Sequence, residues 1–165
     1  MILAGILGTG CDSQINTSKQ ADTLTGSCVL PLSDEELGIY QKYSNTKDDQ
    51  FLRNVSPIII CRLYFHAEKL GDIETRYSLY IQEDRYGTPA YQQFLSDLRS
   101  DTTVRENTRK LIKRLGEDTK VVGERKINNN ESVVEIVPKS KSGSLLFRVI
   151  KNKKGIWKVD WLPLQ

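Results

Sequence analysis

The sequence has little histidine, cysteine or methionine: its 165 residues include one His, three Cys and one Met. A metal site usually takes several His, Cys or carboxylate ligands at short spacing, and His66 has no second His or Cys at such a spacing. The same scarcity leaves a serine or cysteine nucleophile without a nearby histidine base. We therefore expect no metal ion and no nucleophilic catalytic site, and we expect His66 to lie on a solvent-facing helix surface.

Long apolar runs and common catalytic signatures are also lacking. No stretch is long and apolar enough to span a bilayer. The sequence has no G-x-S-x-G, no phosphate-binding glycine loop and no H-E-x-x-H, so we expect no cofactor. With 38% hydrophobic and 27% charged residues, the composition is that of an ordinary globular protein. The length fits one domain with a sizeable core, preceded by a leader.

Acidic residues are scarce in the C-terminal part of the chain. Residues 1–100 carry 9 Lys/Arg against 13 Asp/Glu, whereas residues 101–165 carry 15 against 8. Such an asymmetry can mark a surface for an anionic partner, with Arg105, Arg109 and Lys113 as candidate contacts. A solvated helix face is the interpretation that the composition favours. Nucleic acid is not expected as a partner, because the basic helix lacks aromatic residues for base stacking.

The N-terminus has a short apolar run followed by Gly8, Thr9, Gly10 and Cys11. This pattern resembles the lipobox of bacterial lipoproteins, in which small residues precede the cysteine that receives diacylglycerol. The resemblance implies that residues 1–10 are part of a signal peptide and that Cys11 is the lipidated first residue of the mature chain. A basic region is missing and the apolar run is short, which a translation start further upstream would explain. The alternative is an unprocessed cytosolic N-terminus with a chance cysteine.

The segment after Cys11 is rich in Ser, Thr, Gln, Asn and Asp. Such a composition buries too little apolar surface to order itself, so residues 11–28 are predicted to be a lipidated cysteine and a flexible tether. The expected location is the extracytoplasmic face of the cell membrane. Cys28 and Cys61 form an even pair there, but Cys61 stands in an apolar run. We favour a small buried thiol over a disulfide, which stays open as the alternative.

Capping signals mark the starts of five helices. They are Ser33 with Glu36, Ser56-Pro57, Asp72 after Gly71, Thr88-Pro89, and Thr103 with Glu106. The last helix is expected to end at Gly116. The helix after Ser56 is expected to run to Leu70, and one of its faces is predicted to pack on a sheet through Ile60, Leu63, Tyr64, Ala67 and Leu70. Its solvent-facing stripe is predicted to hold Arg62, His66 and Lys69.

The C-terminal third reads as strands, predicted at 120–127, 133–137, 145–151 and 156–162. In the last strand Trp157, Val159 and Trp161 alternate with Lys158 and Asp160, which predicts that the three apolar residues face the core. Helices followed by a meander of strands indicate an α+β fold. We expect N-terminal helices packed on a C-terminal curved antiparallel sheet.

Two segments together carry a family resemblance. They are the aromatic-rich Leu63-Tyr64-Phe65-His66-Ala67 that leads to Gly71-Asp72, and the final hairpin with Gly155, Trp157, Val159 and Trp161. In this order they resemble the nuclear transport factor 2-like superfamily, the cone-shaped fold of ketosteroid isomerases. The resemblance implies a single α+β domain over 29–165, with a helical extension at 29–54 and the cone at 55–165. The family's hairpin between its second and third helices has little room in this chain.

A candidate pocket follows from Tyr64 and Glu68, which stand one helical turn apart at the border of the apolar face. Tyr77 and Tyr80 are expected to point into the same space. Isomerase-like members of the family use a carboxylate base and a tyrosine in an apolar pocket, but their catalytic residues do not map here by motif. We therefore expect a non-catalytic domain that binds a partner protein or a small ligand. An isomerase-like enzyme and a binder of anionic lipid or cell-wall polymer are the alternatives.

Overall fold

The computed structural model describes residues 29–138 and 144–164 of the chain. Over these ranges the predicted α+β fold is confirmed: helices come first and a four-stranded antiparallel sheet follows. The elements are α1 (Asp34–Thr46), α2 (Pro57–Leu70), α3 (Ile73–Leu79), α4 (Tyr91–Ser100), α5 (Thr102–Asp118), β1 (Thr119–Asn128), β2 (Glu131–Pro138), β3 (Leu145–Lys151) and β4 (Trp157–Leu164). Two short 3₁₀ turns, at Asp49–Leu52 and Asp84–Tyr86, complete the helical part.

The first three helices begin where the sequence predicts. Ser33 and Glu36 form a reciprocal capping box, in which the Glu36 carboxylate accepts the Ser33 N–H at 2.7 Å. The Ser56 hydroxyl caps α2 and Pro57 occupies its first turn, where a missing N–H costs nothing. At the end of α2, Gly71 adopts a left-handed conformation with φ of 68°, which glycine tolerates without a Cβ clash. Asp72 then caps α3, so the α2–α3 corner is confirmed.

The predicted starts of the last two helices are wrong. Helix α4 begins at Tyr91, because the Thr88 hydroxyl donates to the Ile81 carbonyl at 2.6 Å and does not cap the helix. The residue before a proline also avoids the helical region. Helix α5 begins at Thr102, so Thr103 lies within it, and the helix continues past Gly116 to Asp118. One glycine near a helix end costs about 1 kcal/mol, which neighbouring contacts can offset.

The sheet is a meander in the order β1-β2-β3-β4, with every neighbouring pair antiparallel. Helix α2 contacts all four strands and packs Tyr64 and Phe65 against Phe147 of β3, which is fully buried together with Val149. The Phe65 and Phe147 ring centroids lie 5.2 Å apart. The core is thus one layer of helix against one face of the sheet.

Strand β4 follows the predicted alternation only in part. Val159 is fully buried, while Trp157 and Trp161 are half-buried and pack against the core. Lys158 and Asp160, expected on the open side, are buried as well. They are covered because each has ionic partners. Lys158 Nζ bonds to the carboxylate of Asp49 at 2.5 Å, the carbonyl of Ser78 at 2.8 Å and the hydroxyl of Tyr43 at 3.1 Å, and Asp160 accepts a bond from Arg148 at 2.9 Å.

The predicted faces of α2 need two corrections. Arg62 is buried, because Glu36 of α1 pairs with it and α1 covers that side of α2. Leu70, expected to pack on the sheet, is 60% exposed at the α2–α3 corner. His66 is half-buried and stands edge-on to the Tyr40 ring at 4.6 Å, so it is only partly a solvent-facing residue. Burial and the nearby Lys69 lower the pKa of His66.

Candidate functional site

An open cleft of about 660 Å³ lies between the α2–α3 corner and the α4–α5 pair. We call it the corner cleft. Its apolar residues are Leu70, Ile73, Leu95 and Leu98. Leu70 and Ile73 are exposed, and the two leucines of α4 are half-buried. This volume lies within the range of about 300–1,000 Å³ that is usual for small-molecule sites.

A second cavity of about 290 Å³, the sheet recess, adjoins the corner cleft. The two share Glu68, Arg76, Leu98 and Thr108 as lining residues. Aromatic side chains that line the recess are Tyr64, Phe65, Tyr80, Phe94 and Trp161. The last residues of β4 form one of its sides, where Leu162 has a left-handed φ of 59° and is 71% exposed.

The shared boundary of the two cavities is an ion pair between Glu68 and Arg76. Helix α2 supplies the carboxylate and α3 supplies the guanidinium, and the tight corner at Gly71 brings the two together. The Arg76 side chain is only 9% exposed and lies over the Phe94 ring, with its central carbon 4.9 Å from the ring centroid. Its pairing with Glu68 involves Nη1. Arg76 Nε is buried and has no hydrogen-bond partner among the described residues.

The two buried tyrosines of the predicted pocket are in direct contact. The Tyr64 and Tyr80 hydroxyls lie 2.8 Å apart, and their rings meet edge to face at 5.6 Å. Burial raises the pKa of both phenols above the ordinary value, more strongly for Tyr64. Both therefore stay protonated at neutral pH, and they are available as neutral hydrogen-bonding groups at the wall of the sheet recess.

Tyr77 does not belong to this group. Its hydroxyl donates to the Pro89 carbonyl at 2.8 Å, and its ring packs on Tyr91 at 4.9 Å. Helix α3 ends at Leu79, and Tyr80 is extended and bridges to Val159 of β4. The helical spacing that would put Tyr77 and Tyr80 on one face therefore does not apply. The structure brings together three of the four predicted pocket residues.

Positive charge surrounds the corner cleft. Lys69, Arg99, Arg109 and Lys113 line it, and all four side chains are exposed. Together with Arg76 they make five cations against the single carboxylate of Glu68 in the cleft lining. Two of the three predicted anion contacts, Arg109 and Lys113, thus lie at the cleft. The third, Arg105, has a side chain outside the described part of α5.

The arrangement offers little for acid–base or nucleophilic chemistry. Glu68 is held by Arg76, whereas a carboxylate that acts as a base in this type of pocket stands in an apolar wall without a partner cation. The Cys61 thiol is fully buried and burial raises its pKa, which keeps it from forming the reactive thiolate. In the described ranges no three His, Cys, Asp or Glu side chains form a group suited to a metal ion.

Arg76 is the candidate site residue that sequence reasoning did not identify. A charged residue four positions after the Asp72 cap looks like an ordinary solvent-facing position of a short helix. Two features of the sequence could have indicated it: Glu68 near the end of the preceding helix and the tight Leu70-Gly71-Asp72 corner. A carboxylate and a guanidinium on either side of such a corner can form an ion pair.

Comparison of the chain with protein-family models, curated proteins and solved structures finds no match. No helix in residues 29–138 or 144–164 has the length and apolar character needed to cross a membrane. The predicted lipidation site Cys11, the tether and Cys28 lie outside the described residues.

Proposed function

We propose that this protein is a non-catalytic binding domain whose ligand occupies the corner cleft and the adjoining sheet recess. A lipid on Cys11 tethers it to the outer face of a bacterial membrane. The observation that carries the proposal is the pair of adjoining cavities with apolar walls and a buried ion pair, Glu68–Arg76, at their boundary. Ligand pockets are commonly apolar with a few convergent polar groups.

The exposure of Leu70 and Ile73 supports a binding role for the corner. Leu70 is 60% exposed and Ile73 is 39% exposed, and they stand three residues apart at the mouth of one cleft. Single exposed apolar residues are normal, but apolar residues grouped in a concave site are typical of a place where a ligand binds. The Glu68–Arg76 ion pair next to them offers such a ligand charged atoms at a fixed position.

The membrane tether is the sequence-based part of the proposal. It is supported by the small-residue run before Cys11, the apolar run before that, and the polar segment after it. A diacylglyceryl group provides two acyl chains, and stable anchoring takes more than one chain. A tethered, folded domain with an open cleft would then sample ligands close to the membrane surface.

Site-specific photo-crosslinking tests the proposed binding site in the native, full-length chain. We would place p-benzoylphenylalanine at Leu95, which lines the corner cleft. The matched control is Gln92, which is exposed on the same helix outside the cleft. The expected result is an adduct at the Leu95 position that is absent at the control position. Its added mass separates a small ligand from a partner protein.

Two outcomes would contradict the proposal. Equal adducts at both positions would show non-specific contact with α4. No adduct at the Leu95 position, in cells where the protein is folded and processed, would show that the cleft is empty in its native setting. The enzymatic alternative would gain support if the captured molecule were chemically altered by the purified protein.

A further inference from the structure

We propose that the ligand of the corner cleft is a free, single-chain amphiphile with an anionic head group, such as a fatty acid. This inference rests on the proposed binding function and names its ligand class. The site combines an apolar wall with a cationic rim. The rim consists of the exposed side chains of Lys69, Arg99, Arg109 and Lys113. An amphiphilic anion is the ligand that satisfies both wall and rim. A neutral apolar molecule would leave the cations unused, and a small inorganic anion would leave the apolar wall in water.

The apolar part of such a ligand has a continuous path through the site. Leu70, Ile73 and Leu95 line the corner cleft, Leu98 lies at the boundary, and aromatic side chains line the adjoining sheet recess. Burial of apolar surface contributes about 25 cal/mol per Å². An alkyl chain is the simplest group that fits along such a series of apolar side chains.

The rim selects the charge of the head group. Arg99 of α4 and Arg109 and Lys113 of α5 stand on one side of the cleft, and Lys69 stands on the other. Glu68 is the one acidic side chain in the cleft lining, and its charge is already compensated by Arg76. The cleft therefore presents a net positive field, which attracts an anion and repels a cation.

Arg76 supplies donors for the head group at the boundary between the corner cleft and the sheet recess. A guanidinium has five N–H donors, and the hydrogen bonds of the described residues use only Nη1. Arg76 Nε is buried without a partner among those residues, and buried polar atoms are nearly always hydrogen-bonded. An anionic group beside Arg76, reached by a small shift of the side chain, would provide that partner. Arginine is also the residue whose fork best matches planar anions.

The test uses the full-length processed protein and cis-parinaric acid, a fluorescent fatty acid. Displacement by palmitate is compared with displacement by palmityl alcohol, which has the same chain and no charge. We expect saturable binding and displacement by palmitate at a concentration at least about tenfold below that of the alcohol. A third competitor is a set of phosphatidylglycerol vesicles, which offer anionic head groups only as a bilayer surface.

Three variants and one control variant locate the interaction. Arg109→Glu with Lys113→Glu should weaken parinarate binding roughly tenfold through lost attraction and added repulsion, while Lys110→Glu, exposed on the same helix outside the cleft, should not. Arg76→Lys keeps a positive charge next to Glu68 but removes the fork, and should weaken palmitate more than palmityl alcohol. Ile73→Ser should weaken both competitors alike.

Each negative result overturns a separate statement. Equal displacement by palmitate and palmityl alcohol would overturn the anionic head group. Competition by vesicles as strong as by palmitate would overturn the free single chain and indicate docking to a bilayer. If parinarate does not bind but the Leu95 photo-adduct forms, the ligand class is wrong and the proposed function stands. If neither occurs, both are wrong.

Discussion

Replacing Glu36 with glutamine is the sharpest test of how the N-terminal helix is held on the domain. Glu36 and Arg62 form an ion pair across α1 and α2, with one N–O contact at 2.8 Å and a second at 2.9 Å. Both side chains are 5% exposed. The Glu36 carboxylate also accepts the Ser33 N–H of the capping box, and Arg62 donates to the Pro31 carbonyl.

The expected loss in free energy of unfolding follows from the interactions that the substitution removes and those that it keeps. Glu36→Gln keeps the volume of the side chain and an acceptor for the cap but removes the negative charge, so the buried Arg62 loses an ionic partner. Breaking a buried pair in this way costs about 3–5 kcal/mol. Because the new amide oxygen and the Pro31 carbonyl still accept hydrogen bonds, we expect the lower end, about 3 kcal/mol.

Urea unfolding followed by far-UV circular dichroism measures the change. The free energy of unfolding should fall with an unchanged dependence on urea, because the surface exposed on unfolding is the same. Glu35→Gln is the matched control, since Glu35 is exposed on the same helix, and should change stability by less than about 0.5 kcal/mol. A loss below about 1 kcal/mol for Glu36→Gln would refute the reasoning.

Three further predictions concern other parts of the chain. Asp72→Asn should reduce the loss of unfolding free energy between neutral and acid pH. Burial alone would raise the Asp72 pKa, but hydrogen bonds from Thr75 and Tyr40 lower it on balance. A lowered folded-state pKa contributes stability that is complete above the unfolded pKa of about 3.9 and is lost as pH falls through the folded value. Urea titrations near pH 7 and pH 3 check this, and equal acid losses in both proteins would contradict it. Trp161→Ala should cost about 2–3 kcal/mol, less than the roughly 3–5 of a fully buried aromatic, because Trp161 is half-buried against Tyr80; a loss under about 1 kcal/mol in the same unfolding assay would place it outside the core. Expression from an upstream start should give a mature chain that begins at Cys11 with added diacylglyceryl mass, and Cys11→Ser should abolish both, whereas an unmodified cytosolic wild-type chain would end the lipoprotein hypothesis.

The features that sequence reasoning placed correctly are those whose cause is local. The capping box at Ser33, the Ser56-Pro57 start and the Gly71 stop depend on residues within one helical turn, and all three are confirmed. Strand β3 is confirmed with its predicted bounds, and Phe147 and Val149 are buried as their alternation indicates. Rules that act over a few consecutive residues were therefore enough for the order of elements and the α+β fold.

The buried polar side chains that it misplaced depend on distant partners. Arg62 looks solvent-facing on an isolated α2, but it is buried, and Glu36, 26 positions earlier, provides a matching charge. Lys158 is buried for the same kind of reason, since its partners Asp49 and Tyr43 belong to the first two helical elements. No periodicity within β4 or α2 contains this information. The alternation of polar and apolar residues predicts a face, but a polar face can be buried when ionic partners meet it.

In the candidate site, too, spacing within one helix predicts some neighbours, and the tertiary fold determines the others. Tyr64 and Glu68 share a helix, so their neighbourhood was predictable from spacing. Tyr80 reaches them because the chain leaves the helix after Leu79 and pairs with β4, which also explains why Tyr77 points elsewhere. Arg76 enters the site through the turn at Gly71. Spacing along one helix predicted that Tyr64 and Glu68 are neighbours, whereas placing Tyr77 beside them required α3 to continue, and it ends at Leu79.

The predicted tether bears on how often the corner cleft holds a ligand. If residues 12–28 are as flexible as their polar composition predicts, a segment of this length spans roughly 20–25 Å on average. That is within about the diameter of a small domain, so a domain anchored at Cys11 would rest beside the lipid head groups and not far above them. A free single-chain amphiphile leaves a bilayer rarely and briefly, and it carries an anionic head group at the same interface. A cleft that is apolar inside and cationic at its rim, held at that distance, is placed where such a molecule is most concentrated. The tether would therefore raise occupancy without any change in the intrinsic affinity of the cleft. A secreted form that lacks residues 1–11 should then show lower occupancy in cells, while the parinarate affinity of its folded domain stays the same.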